Sequence, residues 1–361
     1  MIETMQQKTQ IPDAPQTVFR DIYAMTDALV AEVEKVVIGK THEIVMLVTA
    51  LLAGGHVLIE DVPGVGKTTL AAALAAACGL KFKRAQFTPD VMASDITGFH
   101  IYNRQTESFE FREGLVMTNI LLADEINRAS PKTQSSLLES MEEANVTVDG
   151  TTFHIPEPFF VIATENPTGF VGTYPLPEAQ LDRFTVKISI GYPTAEEEIN
   201  IIRTRKHENP IDHVKAVTDA EKIIQLKNAA ADVYVDDAIY DYIVRLIGAT
   251  RRHSALALGA SPRASLALSK MAQAYALMHK RDYVIPEDVS AIFVNTVAHR
   301  IMLRQEAKLQ RMTPEVILRE ILRAAEVPFI GTRASDASPV SAETQKERGA
   351  DADSGEGKDR T

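Results

Sequence analysis

One cysteine, Cys78, is all the sulfhydryl chemistry that the 361-residue sequence offers. No internal disulfide is available, and a lone thiol suits a reducing compartment. Long hydrophobic runs are missing too: the stretch from Ala71 to Cys78 falls far short of the ~20 apolar residues that a bilayer span needs. The first residues, Met1-Ile2-Glu3-Thr4-Met5-Gln6-Gln7-Lys8, lack the basic-then-apolar layout of an export signal. These absences set the expectation of a cytoplasmic protein without a membrane span. Positive charge is also short. Lys and Arg number 38 against 49 Asp and Glu, a formal net charge of -11. A nonspecific grip on nucleic acid needs the opposite balance, so no nucleic-acid partner is expected. Two motifs are absent. His42-Glu43-Ile44-Val45-Met46 resembles a zinc-protease helix, but Met46 stands where the second histidine belongs. No Asn-Lys-x-Asp guanine signature occurs, which favours ATP over GTP.

What is present is ordinary globular material, 45% hydrophobic and 24% charged, in a chain long enough for two domains. Its organising stretch runs from His56 through Val57-Leu58-Ile59-Glu60-Asp61-Val62-Pro63-Gly64-Val65-Gly66-Lys67-Thr68-Thr69 to Leu70. The order is a buried strand, a glycine-rich loop and a helix beginning at Lys67. Such a loop turns successive backbone N–H groups toward one point, and the helix N-terminus adds partial positive charge there. Gly64 and Gly66 let the backbone approach a phosphate closely. Lys67 would reach the β- and γ-phosphates, and the Thr68 hydroxyl would ligate Mg²⁺. The strict pattern places glycine six residues before the lysine; here Asp61 holds that position.

A second constellation is Asn119-Ile120-Leu121-Leu122-Ala123-Asp124-Glu125. An apolar strand ends in two carboxylates at its C-terminal edge, where open α/β sheets place their ligands. Asp124 would hold the metal's hydration shell and Glu125 would polarise an attacking water. Asn166 ends another apolar strand, Phe159 to Thr164, where it either orients that water or simply forms a turn before Pro167. Val36-Val37-Ile38-Gly39 lies just upstream of the loop, a place where apolar residues often line an adenine pocket. Arg183 is either a surface ion-pair residue or a side chain projecting to a neighbour's nucleotide; spacing leaves both open. Arg263 follows Ser261 and Pro262 in the first turn of a helix, where positive charge opposes the helix dipole. That mismatch suggests an anionic partner, phosphate among the candidates.

Between these, a helical period starts at Val18 and a further helix runs from about His42 to Leu52. Asp95-Ile96-Thr97-Gly98 reads as a turn. Phe99, Ile101, Phe109 and Phe111 flank the polar tip Asn103 to Glu107, a hairpin with one face able to pack on its own domain. Asp149-Gly150 marks a second hairpin. From Pro193 to about Val327 the pattern is mainly helical. The stretch from Gly331 is rich in Ser, Ala, Gly, Asp, Glu and Lys and is expected to be disordered.

In this order these segments resemble the AAA+ ATPases, and specifically the MoxR family, from about Val18 to Val327. The resemblance rests on Glu60 to Thr69, Gln86-Phe87-Thr88-Pro89-Asp90 with Ser94 to Gly98, Asp124 to Ala129, Glu165-Asn166-Pro167, Glu178 to Phe184 and Gly259 to Ala264. It implies an α/β fold: an αβα phosphate-loop domain over residues 18–192, with inserted hairpins near 98–112 and 145–156, then a helical lid over 193–327. Residues 1–17 would be a flexible arm and 328–361 an acidic tail. It further implies Walker A Lys67 and Thr68, Walker B Asp124 and Glu125, sensor 1 Asn166, arginine finger Arg183 and sensor 2 Arg263. ATP would lie between domain and lid, with Lys67 and Arg263 on its phosphates and Mg²⁺ on Thr68 and Asp124. The resemblance also implies a homo-hexameric ring, and chaperone-like remodelling of protein complexes with a von Willebrand factor A domain partner. The client is not legible. A magnesium-chelatase-like or nucleic-acid-linked motor shares this core, and a non-catalytic nucleotide-sensing scaffold is the alternative of another class.

Overall fold

The structure is a computed structural model describing residues 14–166, 173–204 and 210–328. Residues 1–13 of the expected arm and the expected tail beyond residue 328 lie outside the described residues, whereas residues 14–17, also expected in the arm, begin the first helix. Helices α1 (Ala14–Glu34) and α2 (Thr41–Leu52) precede strand β1 (Val57–Glu60), which the phosphate loop joins to α3 (Lys67–Cys78). Next come β2 (Phe82–Gln86), the short α4 (Ala93–Thr97), a hairpin of β3 (Gly98–Asn103) and β4 (Ser108–Glu113), and β5 (Ile120–Asp124). A 3-10 turn (Ile126–Arg128) then leads into α5 (Pro131–Glu143). The hairpin of β6 (Asn145–Val148) and β7 (Thr151–His154), then β8 (Phe160–Glu165), α6 (Glu178–Leu181) and β9 (Val186–Ile188) complete the α/β part.

The five strands outside the hairpins form one parallel sheet in the order β2-β5-β8-β1-β9. A parallel sheet is covered on both faces, so its central strands must be apolar throughout. Ile120-Leu121-Leu122-Ala123 and Phe160-Val161-Ile162-Ala163 satisfy that, and every one of these side chains is buried. All the parallel strands point the same way. The carboxyl ends of β1, β5 and β8 therefore bring Glu60, Asp124 and Glu165 to a single edge.

The remaining helices are α7 (Ala195–Thr204), α8 (Ala220–Ala231), α9 (Asp237–Arg252), α10 (Pro262–Met278), α11 (Pro286–Val297), α12 (Gln305–Leu309) and α13 (Pro314–Ala324). In α9, Ile239, Tyr242, Ile243, Leu246, Ile247 and Thr250 recur at three- and four-residue steps and are all buried, one apolar stripe facing inward. Ser261 caps α10, its hydroxyl accepting from the Arg263 amide at 3.1 Å. A two-stranded ribbon, β10 (Leu256–Leu258) with β11 (Met302–Leu303), is the one strand pairing among the described residues of this mainly helical region.

Two local expectations change. Asp95 to Thr97 belongs to α4 rather than to a plain turn; the Asp95 carboxylate accepts from the Met92 amide at 2.9 Å and so starts the helix. The four aromatic and aliphatic residues of the first hairpin do not share a face. Phe99 pairs with Arg112 and Ile101 with Glu110, whereas His100 pairs with Phe111 and Tyr102 with Phe109. The Phe111 face is the one that docks: its ring stacks on Phe153 of β7 at 3.8 Å between centroids and 8° between planes. Phe109, Ile101 and Tyr102 are exposed.

Candidate active site

Gly64 (φ 89°) and Gly66 (φ 96°) hold the loop in a left-handed conformation that favours glycine. A Cβ built at either position meets no protein atom within 4 Å, so their space faces an opening rather than the core. Asp61, in place of the usual first glycine, has a structural task. Its Oδ2 accepts from Ser189 Oγ (3.1 Å) and from the amides of Ile190 and Gly191 (both 2.7 Å), while Oδ1 accepts from the Val62 amide (2.8 Å). The carboxylate thus ties the start of the loop to the end of β9.

Lys67 is 7% exposed, and its ammonium donates to the carbonyl of Asp61 at 2.6 Å, with Val62 O at 3.4 Å and Asn166 Oδ1 at 3.5 Å. Burial draws its pKa below the ordinary lysine value, and the carboxylates of Asp61, Asp124 and Glu125 oppose that pull. Asn166 therefore stands beside Lys67, as its position at the end of β8 implies.

Asp124 is buried. Its Oδ1 accepts from the Thr164 hydroxyl at 2.7 Å, and Oδ2 from Arg84 Nη2 at 2.7 Å. The same Thr164 oxygen accepts from the Glu125 amide at 2.8 Å, so one hydroxyl sets both acidic residues. Glu125 adopts φ 57°, a left-handed conformation uncommon for a residue with a side chain. That turn throws its carboxylate off the strand axis, where Oε2 accepts from Arg128 at 2.9 Å. Beside Asn166, Glu165 pairs in register with Glu60, whose carboxylate meets Lys187 at 2.8 Å. Burial first, and Glu60 second, push the Glu165 carboxyl up to about 7, with Lys187 opposing.

A cavity of about 460 Å³ opens beside the loop, lined by Val37, Ile38, Gly64, Gly66, Thr69 and Tyr192 among others. Val65 also lines it, and the apolar wall expected of Val37 and Ile38 is in place. Gly39 is not part of that wall; it takes φ 75°, a left-handed conformation that favours glycine. Pro63 is exposed and does not line this cavity.

Arg183 and Arg263 lie elsewhere, around a second cavity of about 210 Å³ that shares no lining residue with the first. Arg263 is therefore not beside Lys67 within the subunit, and the expected bracketing of one triphosphate by both is corrected. The physical reason is an ion pair, since Arg263 Nη2 meets Glu142 at 2.8 Å. Arg183 Nη1 meets the same carboxylate at 3.2 Å and donates to Leu138 O at 2.7 Å. Asp182 accepts from Ser261 Oγ at 2.8 Å and approaches the buried Arg300 at 3.1 Å, joining the Arg183 loop to α10. Burial lowers the Arg300 pKa to about 10, with Asp182 raising it and Arg263 lowering it.

These observations test the fit of ATP and Mg²⁺. The glycine loop faces open space, and the α3 N-terminus has no side-chain cap on its leading amides. The buried ammonium of Lys67 has oxygen acceptors from carbonyls and an amide but no carboxylate hydrogen bond. That donor set fits a phosphate chain. Thr68 and Asp124 supply the hard oxygens that Mg²⁺ takes alongside phosphate and water. Among the described residues, no group of three or more His, Cys, Asp or Glu forms a metal cage, and Mg²⁺ in nucleotide sites does not need one. Sequence reasoning missed Arg84, Arg128, Thr164 and Glu142. Only Thr164 left a signal, as a hydroxyl inside an otherwise apolar strand.

Comparison with known proteins agrees with this architecture. Residues 56–186 match the family described as ATPase family associated with various cellular activities (AAA), and residues 248–321 match the AAA lid domain. The chain is 51% identical over 308 residues to the uncharacterized protein YeaC of Bacillus subtilis (strain 168), covering 85% of this chain and 96% of that one. It is 42% identical over 308 residues to Chaperone MoxR1 of Mycobacterium tuberculosis, covering 83% and 81%. Protein MoxR of Methylorubrum extorquens is 30% identical over 332 residues, covering 84% and 95%. A crystal structure of a candidate ATPase from Cytophaga hutchinsonii superposes with a TM-score of 0.81 at 37% identity, covering 87% of this chain and 98% of that one. No helix among the described residues is long and apolar enough to cross a membrane. With the phosphate loop, the paired carboxylates and the lid in the family's order, the chain belongs to the MoxR family of AAA+ ATPases.

Proposed function

We propose that this protein hydrolyses ATP with Mg²⁺ at a site shared between two copies of the chain, and that it uses the turnover to remodel protein complexes. The observation that carries the reading is the division of charge: Lys67, Asp124 and Glu125 gather at one sheet edge, while Arg183 and Arg263 line a separate cavity. Each half lacks what the other has. Lys67 and the loop amides bind the phosphates, Thr68 and Asp124 would hold Mg²⁺, and Val37 and Ile38 contact the base. The bound metal supplies charge neutralisation at the phosphates. Glu125, held off the strand axis by its left-handed turn, takes the proton of the attacking water, and Asn166 orients it. Arg183 and Arg263 of the neighbouring subunit then stabilise the charge developing on the transferred phosphoryl group.

A homo-hexameric ring in the cytoplasm, a von Willebrand factor A domain partner and a protein client are proposed on the same family grounds. The lid over residues 193–327 would carry motion to them. The first hairpin is the candidate contact, because Phe109, Ile101 and Tyr102 stay exposed after Phe111 has docked.

Phosphate release from mixed subunits tests the site. Lys67→Ala should lose nucleotide binding, while Glu125→Gln should bind ATP without hydrolysing it. Arg183→Ala should lose about 10³ or more in rate with ATP affinity kept within several-fold. Mixing Arg183→Ala with Glu125→Gln should restore turnover, because some interfaces then join an intact Glu125 to an intact Arg183. Mixtures that exchange subunits yet stay silent at every ratio would refute the shared site. Wild-type turnover by Glu125→Gln would refute the assigned base, and stimulation by DNA would support the nucleic-acid motor instead.

A further inference from the structure

The geometry points to Glu142 as a positioning residue for both trans-acting arginines, an inference that rests on the shared site proposed above. Its carboxylate is the common ion-pair partner of two cations that arrive from different elements. Arg183 comes from the turn between α6 and β9, and Arg263 from the first turn of α10. Oε2 lies 3.2 Å from Arg183 Nη1 and Oε1 accepts from Arg263 Nη2 at 2.8 Å, so both guanidinium groups are drawn to a single side chain.

Stability alone is a poor account of this arrangement. All three side chains keep substantial solvent access, at 39% for Glu142, 30% for Arg183 and 54% for Arg263. Exposed ion pairs of this kind contribute little to folding. What the arrangement does achieve is to bring two like charges together. Arg300 and Lys270 line the same cavity, and Arg300 already feels Arg263 as a repelling neighbour. Without a counter-charge the guanidinium groups would separate. Glu142 offsets that repulsion and engages only one nitrogen of each group. Among the described residues, nothing accepts from Nη2 of Arg183 or from Nη1 of Arg263, so one donor edge of each remains available. A planar fork held at one tine and open at the other suits the oxygens of a phosphoryl group.

The support beneath Glu142 is firm. It sits in the last turn of α5, and Arg183 also bonds the Leu138 carbonyl one turn earlier. Asp182, next to Arg183, is fixed by Ser261 and Arg300, and Ser261 in turn caps the helix carrying Arg263. The two arginines are therefore linked twice: through Asp182 and Ser261 at their backbones, and through Glu142 at their heads.

The test uses the full chain carrying Glu142→Ala, with Glu142→Gln as a second variant that keeps one acceptor oxygen without the charge. Glu142→Ala should lower kcat about tenfold to a hundredfold, in line with what small misplacements of catalytic groups cost. KM for ATP should stay within about threefold, since phosphate binding rests on the other half-site. Glu142→Gln should fall between Glu142→Ala and the wild type. The deciding readout is complementation. Glu142→Ala mixed with Glu125→Gln should show more turnover than either alone, and mixed with Arg183→Ala it should show none beyond its own. Damage to α5 itself would act through Glu125, six residues before that helix begins, and would give the reverse pattern. That reverse pattern, or a kcat at or above the wild-type value in both variants, overturns the inference. Arg183→Ala with Glu125→Gln serves as control: silence there removes the shared site itself, and this role with it.

Discussion

Replacing Glu165 by glutamine should stabilise the fold at pH 8 and leave it almost unchanged near pH 4.5. Glu165 lies at the end of β8 beside Glu60, and burial with that neighbour pushes its carboxyl from the ordinary 4.5 up to about 7. Below pH 4.5 the group is protonated in both folded and unfolded chains, and glutamine is its near-isostere. Between pH 4.5 and 7 the unfolded chain releases the proton while the folded chain retains it. The folded state then loses about 1.4 kcal/mol of relative stability for each pH unit. Above pH 7 both states are ionised and the cost no longer grows. The full interval corresponds to roughly 3 kcal/mol, and residual solvent access at this half-buried site trims it to about 2 kcal/mol. Urea unfolding of the parent and Glu165→Gln chains at pH 5, 6, 7 and 8, without nucleotide, measures the difference directly. The gap between the curves should open from pH 5 to 7 and then hold. Parallel curves across that range would refute the reasoning. So would a variant less stable than its parent at pH 8, which would mean that Lys187 pairs with Glu165 well enough to cancel the burial cost.

Other expectations concern packing around the site. Ser261→Ala removes the cap of α10 and a donor to Asp182 together, so urea unfolding should show a loss of about 1–2 kcal/mol, and Ser261→Thr should recover most of it. A double-mutant cycle on Phe111 and Phe153 should return a coupling of about 0.5–1.5 kcal/mol from their stacked rings. Strict additivity there would mean that the hairpin is not held by this contact.

Much of the sheet and half of the site were legible because their physics is local. Unbroken apolar runs ending in charge, such as Ile120 to Asp124, have few ways to be satisfied except as central parallel strands. Asp149 and Gly150 both take positive φ, the conformation that their residue types announce. The faces of the first hairpin were harder, since alternation within each strand leaves their relative register open. The turn places Asn103 opposite Ser108, which pairs odd positions of β3 with even positions of β4. Phe99 and Phe111, alike in sequence, are thereby sent to opposite sides.

The partners of the acidic residues were illegible for a different reason. Arg84 reaches Asp124 across neighbouring strands, and Arg128 reaches Glu125 only because Glu125 turns left-handed. Neither contact follows from composition or period. Arg263 shows how far such reasoning extends. Its place in a first turn, against the dipole, correctly pointed to an anionic partner, but chemistry alone does not say which anion. Glu142, 121 residues earlier in the chain, fills that role within the subunit. The carboxylate that satisfies Arg263 also satisfies Arg183, so the mismatch visible at one helix start reports on two residues. A local electrostatic penalty in the sequence thus marked a residue with an anionic partner, while the identity of that partner was settled by α5.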